Sequence, residues 1–416
     1  MKAIVVGGGI IGLSSAWFLR ESGWEVTVID KGDLLDNCSY GNAGYVCPSH
    51  FVPMATPGIV KQGFKWMLNS QSPFYVKPRL NAALIQWGLQ FMKSANAQHV
   101  EKSAVPLRDI ALLSKSLYDS WAATPGFDFA YEKSGLLEMF QTEENAEHAH
   151  HTVEQAKQLG LDVTLLNKEE VSSMEPGTEL NIRGAIHFKC DAHLYPGKLM
   201  HNLLDNLQQQ QVQLVKNQEV TGFEKKGDTL SAVRTTTGRY EADLVVIAAG
   251  SWSKGLADML QTTIPMVGGR GYSVTLESSG YQLKHPAILT EGRVAITPMD
   301  GNKLRFGGTM EITSLNAPPN LNRVKGILAS VKNFLPQFTI PMPDASAVWY
   351  GYRPCSADGL PYIGRLKKTP NCIVATGHSM LGLSLGPATG KLVSELANNT
   401  STSMPVDAFN AERFAK

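Results

Sequence analysis

Lys2-Ala3-Ile4-Val5-Val6-Gly7-Gly8-Gly9-Ile10-Ile11-Gly12 is the stretch that decides the fold. Lys2 to Val6 is a short apolar run of the kind that forms a buried parallel strand. Gly7, Gly9 and Gly12 then satisfy the G-x-G-x-x-G spacing. Gly7 permits a tight turn, Gly9 lets backbone approach a pyrophosphate, and Gly12 lets a helix pack close to the strand. Leu13 to Arg20 has helical character and Gly23 suits its stop. A second strand, Glu25 to Ile29, ends in Asp30, where a carboxylate accepts hydrogen bonds from an adenosine ribose. The helix N-terminus offers free N–H groups and a positive dipole end to the pyrophosphate. An isolated motif of this kind is equally a glycine-rich turn with no ligand. Strand, glycines, helix, second strand and terminal acid in order favour a dinucleotide. The acid at position 30 disfavours a 2′-phosphate and hence NADP, leaving FAD or NAD.

Working outward, the composition is that of a globular protein with about two or three domains. Its 416 residues are 43% hydrophobic and 18% charged, with a net charge of +1. That balance gives no support to nucleic-acid binding. Cys38, Cys47, Cys190, Cys355 and Cys372 are scattered and never spaced C-x-x-C, which suggests a reducing compartment and no zinc site. The apolar residues after Lys2 belong to the nucleotide-binding strand, so their removal as a signal peptide would destroy the site. No run is long and apolar enough to span a bilayer. The expected location is cytoplasmic, with peripheral attachment to the cytoplasmic face of a membrane as the alternative.

Asp36 to His50 is a polar, glycine-dense loop, read equally as a surface loop or as a segment lying along a cofactor. Residues 60–125 read as helical, with Trp66, Leu84, Trp87, Leu89 and Phe91 as core and Pro73 and Pro78 as breaks. Tyr131 to Phe140 reads as a hairpin. A polar helix over 143–159 carries His148, His150 and His151, read as a solvated face and not as metal ligands. A helix over 198–210 precedes short strands at 213–215, 219–224 and 230–235. Ala242 to Ser253 is a second buried strand ending in small residues. Residues 264–343 are β-rich, with one helix over 323–334, and suggest an antiparallel sheet. Near the end, strand 372–376 runs into Gly377-His378-Ser379-Met380-Leu381-Gly382-Leu383-Ser384, a second glycine-rich turn before a helix.

The fold expected is α/β. A Rossmann-type nucleotide domain is built from 1–60, 175–262 and 345–416. An α+β substrate or cap domain with an antiparallel sheet is built from 61–174 and 263–344.

These motifs, with Ser39-Tyr40-Gly41-Asn42-Ala43-Gly44, Arg270-Gly271-Tyr272-Ser273, Gly307-Gly308-Thr309 and Gly351-Tyr352-Arg353-Pro354, span nearly the whole chain. Together they resemble the D-amino-acid-oxidase superfamily of FAD oxidoreductases, which includes glycine oxidase and sarcosine oxidase. Within it the chain looks most like the bacterial D-amino-acid dehydrogenase type. The resemblance implies noncovalent FAD. Its expected contacts are Gly7, Gly9, Ile10, Ile11, Gly12, Asp30 and Lys31 near the pyrophosphate and ribose, and Val220 near the adenine. Ser39, Asn42, Ala43, Gly44, Ala249, Gly250, Trp252, Gly351 and Arg353 are further contacts. Gly377, His378, Leu381, Gly382, Leu383 and Ser384 are expected near the isoalloxazine. Cys355 lies closer to Asp358 than the flavin-linking cysteine of some relatives does, and is read as unlinked.

The implied activity is oxidation of D-amino acids, cyclic imino acids such as D-proline or hydroxyproline included. Hydride passes from Cα to flavin N5, giving a 2-oxo acid after hydrolysis or a cyclic imine, and electrons go to a quinone or other carrier. Arg353 is the candidate carboxylate clamp, since a guanidinium grips a carboxylate in two places; its structural alternative is an ion pair with Asp358. Tyr272 is the candidate lid, its alternative a core tyrosine. His50 and His378 are candidate polar groups near the flavin. Arg270 stands where lysine is expected and is a candidate second cation. Two alternatives stay open: an oxidase of the glycine, sarcosine or proline type using O₂, and a non-catalytic electron-relay subunit.

Overall fold

The structure, a computed structural model, describes residues 1–67, 69–77, 79 and 81–415, without the side chain of Phe64. Pro78, expected as a helix break, lies outside the described residues.

The opening strand, Lys2–Val6, sits inside a six-stranded sheet. Its parallel neighbours are Glu25–Ile29 and Leu244–Ile247, which are followed outward by Gln213–Val215 on one side and Thr369–Thr376 on the other. Tyr362–Leu366 closes the sheet as an antiparallel edge. Val5, Val28, Val246 and Ile373 are fully buried, as strands covered on both faces must be. Helix Ile10–Glu21 packs on this sheet beside helix Gly382–Ala397. Gly390 is what allows the approach, because a Cβ there would stand 2.4 Å from the Ser14 carbonyl.

The second layer is a nine-stranded, largely antiparallel sheet. Its order runs Trp349–Ser356, Met266–Leu276, Lys303–Ile312, Val294–Met299, Ala287–Leu289, Leu136–Phe140, Gly184–Phe188 and Val163–Asn167. Phe74–Val76 adds a parallel edge to Lys303–Ile312, and Ala287–Leu289 meets Leu136–Phe140 in parallel. Two of its strands, Gly184–Phe188 and Trp349–Ser356, come from stretches assigned by sequence to the nucleotide half. A small sheet of Val220–Lys226, Thr229–Thr235 and Arg239–Glu241 stands apart.

The hairpin expected over 131–140 does not form. Gly135, at φ +82°, turns the chain, so Glu132 pairs with His193 while Leu136–Phe140 takes partners from distant segments. The helical region resolves into Ile59–Met67, Ala82–Ser94 and Ala97–Ala122. Trp87 is buried in a core cluster with Leu84 and Phe91 packed against it, as expected, although these three and Trp66 also border a cavity; Leu89 departs from the expectation, at 59% exposed.

Candidate active site

A cavity of about 1690 Å³ runs between the two large sheets, from Asp30 past Gly9 and the 36–50 loop to the start of helix Gly382–Ala397. The loop expected either on the surface or along a cofactor therefore borders it.

At one end, Gly7 adopts φ +109°, which turns the chain out of its strand. A Cβ on Gly12 would lie 1.8 Å from the Gly7 carbonyl, so the helix seats directly on the turn. Gly9 borders the cavity, and a Cβ placed on it would meet only Ser39 Oγ, at 3.4 Å. Both carboxylate oxygens of Asp30 are engaged by backbone: the amides of Gly8 and Gly32 donate at 2.6 and 2.7 Å. Each oxygen keeps a further lone pair for a ligand hydroxyl. Lys31 places its Nζ 3.6 Å from the centre of the Trp252 ring, and burial lowers its pKa. Val220, Ala249, Gly250, Ile10 and Ile11 complete this wall.

The 39–44 loop is tied to the second sheet. Arg305 Nη1 donates to the carbonyls of Tyr40 and Asn42 at 2.9 and 2.7 Å. Ser273 Oγ donates to Gly41 and Thr297 Oγ1 to Ala43, at 3.1 and 2.7 Å. Ser39 Oγ accepts from the Ile10 amide at 3.0 Å, which fixes the loop to the helix N-terminus as well. Gly44 and Gly377 lie off the cavity, packed against the Leu194 carbonyl and the Tyr362 ring.

At the other end Leu381, Gly382, Leu383 and Ser384 bring a helix N-terminus to the cavity. Ser384 Oγ accepts from the Cys47 amide at 2.9 Å. His378 is buried. Thr389 Oγ1 spends its proton on the Leu385 carbonyl, so His378 Nε2 donates to Thr389, at 2.9 Å, and Nδ1 is left without a partner. Burial pulls this imidazole down to about 3. His50 is half-buried, and loss of hydration pulls it to about 4. Its Nδ1 lies 3.1 Å from Ser49 Oγ, which donates to Asp191 at 2.5 Å. Both imidazoles are neutral at pH 7, so neither offers a proton.

Arg353 borders the cavity on strand Trp349–Ser356 and donates from Nη1 to the Thr309 carbonyl. Thr309 is held at φ +61°, an unusual conformation for a β-branched residue. The guanidinium lies across Gly271, where a Cβ would fall 2.1 Å from Nη1. The ion pair with Asp358 does not form: Arg413 grips that carboxylate through Nε and Nη2, both at 2.7 Å. Arg353 has no carboxylate partner among the described residues. Gly351 lies beside it, closed on one side by Trp349.

Tyr272 and Arg270 depart from expectation. Successive residues of a strand face opposite sides, so Gly271 and Ser273 turn to the cavity while Arg270 turns away. Arg270 is 1% exposed and grips Glu311 Oε2 at 2.7 Å. Tyr272 borders the cavity, yet its hydroxyl donates to Glu311 at 2.9 Å and accepts the Asn320 amide at 2.7 Å. Burial raises this phenol to about 12. It is held in the core, not hung as a lid.

The sequence reading missed Glu138. Ser273, Gly307, Ala295, Ile288 and Glu138 lie opposite one another across five strands and all face the cavity. Burial, then the nearby Asp191, raise Glu138 to about 7. A lone acid in Leu136-Leu137-Glu138-Met139-Phe140 was the available signal.

An open sheet with its glycine turn at the strand ends, joined through a long cavity to a second sheet whose Arg353 has no carboxylate partner among the described residues, is the arrangement of a dinucleotide-dependent oxidoreductase. The model of the FAD-dependent oxidoreductase (DAO) family matches residues 2–396, and the chain belongs to that family. It is 31% identical over 408 residues to the D-amino acid dehydrogenase of Helicobacter pylori, covering 98% of this chain and 97% of that one. The D-amino acid dehydrogenase of a serogroup C strain of Neisseria meningitidis is 30% identical over the full length of both. Glycine oxidase from Geobacillus kaustophilus superposes with a TM-score of 0.78 at 22% identity, over 99% of this chain and 98% of that one. The cofactor is FAD. Gly9 on the cavity border, the Asp30 carboxylate and the helix N-terminus at Gly382 suit a long, anionic, two-ended ligand of this kind.

Proposed function

We propose that this oxidoreductase oxidises D-amino acids at the Cα–N bond and passes the electrons to a quinone or similar carrier. The observation that carries the reading is Arg353, a cationic side chain with no carboxylate partner among the described residues, beside the glycine-lined stretch of the cavity. A planar guanidinium binds a substrate carboxylate in two places and so fixes which face of Cα is presented. The curated relatives named D-amino acid dehydrogenase support the substrate class. When bound, the flavin supplies the two-electron acceptor for the hydride leaving Cα.

The remaining chemistry is the chain's own. Gly271 leaves the room in which Arg353 lies, and the Thr309 carbonyl orients it. Neutral His50 and His378 add no charge to compete with that clamp. The N–H groups around Gly382 and Leu383 offer positive potential to an anionic edge of the cofactor. In this reading 1–60, 175–262 and 345–416 form the FAD half and 61–174 and 263–344 the substrate half, with two strands crossing between them.

Anaerobic bleaching of the flavin absorbance tests the proposal. D-amino acids, with D-proline and hydroxyproline among them, are expected to bleach it and L-amino acids and sarcosine are not. Recovery should be slow in air and fast with a quinone. Fast recovery in air would make the protein an oxidase, and bleaching by L-isomers alone would overturn the substrate class.

A further inference from the structure

Glu138 faces the cavity with a carboxylate that takes part in no hydrogen bond and no ion pair among the described residues. Arg293 is near enough to act on it through space, yet stands over the Trp66 ring, 5.0 Å from its centre. Asp191 beside it is an acceptor as well, and takes its protons from Ser49. The floor between Glu138 and the arginine clamp is small and apolar. Gly307, Ala295 and Ile288 carry it across from the strand of Thr309, on whose carbonyl Arg353 rests. The loop after Gly41 runs beside this floor, pinned strand by strand. Ser273 holds Gly41, Thr297 holds Ala43, and the Tyr45 hydroxyl shares its proton between the carbonyls of Ala287 and Ile296, at 2.8 and 2.9 Å. Those hydroxyl protons are all spent on backbone, and none is left for Glu138.

Three strand spacings, about 14 Å, separate Gly307 from Glu138. An α-amino nitrogen lies within about 3 Å of its own carboxylate, so a substrate held at Arg353 keeps that nitrogen out of reach of Glu138. Hydrogen bonds at both ends leave roughly 8 Å between them, which an extended side chain covers. We infer that Glu138 sets side-chain specificity: it accepts a hydrogen bond from a donor at the far end of the substrate's side chain, either an ammonium or a neutral N–H or O–H. This role rests on the proposed clamp at Arg353, and it ranks D-amino acids with such a donor above those without one. An ammonium should gain most, since a hydrogen bond between two charged groups is the stronger kind.

Equilibrium binding to the oxidised, flavin-loaded protein tests this without turnover. In calorimetric titrations 5-aminopentanoate, a carboxylate with a distant ammonium, should bind about tenfold or more tighter than pentanoate. Glu138→Leu should erase that difference, and Glu138→Gln, which keeps an acceptor but not the charge, should shrink it. In steady-state kinetics the kcat/KM ratios of D-ornithine and of D-glutamine to D-norleucine should each fall about tenfold in Glu138→Leu. In Glu138→Gln only the D-ornithine ratio should fall. Equal affinity for the two acids, or a difference that survives Glu138→Leu, overturns the inference. So does a uniform fall in kcat/KM for all three substrates with the two acids bound alike, which would leave Glu138 a structural or entry-path role. Failure of every D-amino acid to bleach the flavin would sink the proposed oxidation, whereas the two acids would still decide the role of Glu138.

Discussion

Arg353 borders the cavity with its guanidinium on the Thr309 carbonyl and no carboxylate partner among the described residues, so its removal separates substrate binding from cofactor binding. Arg353→Ala should keep FAD bound while kcat/KM falls about 100-fold or more, equivalent to about 3 kcal/mol of transition-state binding. Steady-state kinetics on a variant with an intact flavin spectrum checks this; normal kinetics would remove the residue from the site. His378 makes a second prediction at this scale. Burial depresses its pKa in the fold to about 3, from the ordinary imidazole value of 6.5. Its burial therefore costs nothing above the unfolded value, and stability is lost as pH falls from about 6.5 toward 3, by about 1.4 kcal/mol per unit. Thermal melts of wild type should show this acid limb, and His378→Gln, which keeps an N–H donor, should show a shallower one.

Among the elements, strand Met266–Leu276 shows how alternation allots roles. Gly271 gives Arg353 its space, while Arg270 and Tyr272 hold Glu311 on the far side. Gly271→Ala would set a methyl 2.1 Å from the guanidinium, at the end of a flexible side chain that moves aside without unfolding the strand. KM for a D-amino acid should rise about tenfold, with the melting temperature nearly unchanged. In contrast, Gly12→Ala would press on the backbone of the glycine turn, 1.8 Å from the Gly7 carbonyl, and should yield protein without flavin. Absorbance of the purified variant decides that point. Gly271-Tyr272-Ser273 is recognisable as strand in the sequence, but it is the pairing with Lys303–Ile312 that brings the Tyr272 hydroxyl to Glu311.

For the molecule as a whole, the 39–44 loop joins the two sheets. Arg305 reaches from the larger sheet to the carbonyls of Tyr40 and Asn42, and the same loop caps the first helix through Ser39. Arg305→Ala leaves those carbonyls without their charged donor and should cost about 3 kcal/mol of stability. It should also weaken FAD binding, because the loop borders the cavity. Denaturant titration and flavin release on dilution measure the two effects separately. Loss of stability with unchanged flavin affinity would confine the loop to a structural role.

The sequence by itself determined the nucleotide-binding half, because its signals are local: strand, glycine turn, helix and acid follow one another within thirty residues, and backbone sterics dictate what each glycine allows. It also marked Arg353 and the helix start at Gly382. Only the tertiary structure decided the partners of charged side chains. Asp358 found Arg413 near the end of the chain, Arg270 found Glu311 across a strand pair, and Glu138 came to face the cavity through a row of five strands. Periodicity sets which residues share a face. Which face looks onto the cavity depends on pairings between segments far apart in the chain.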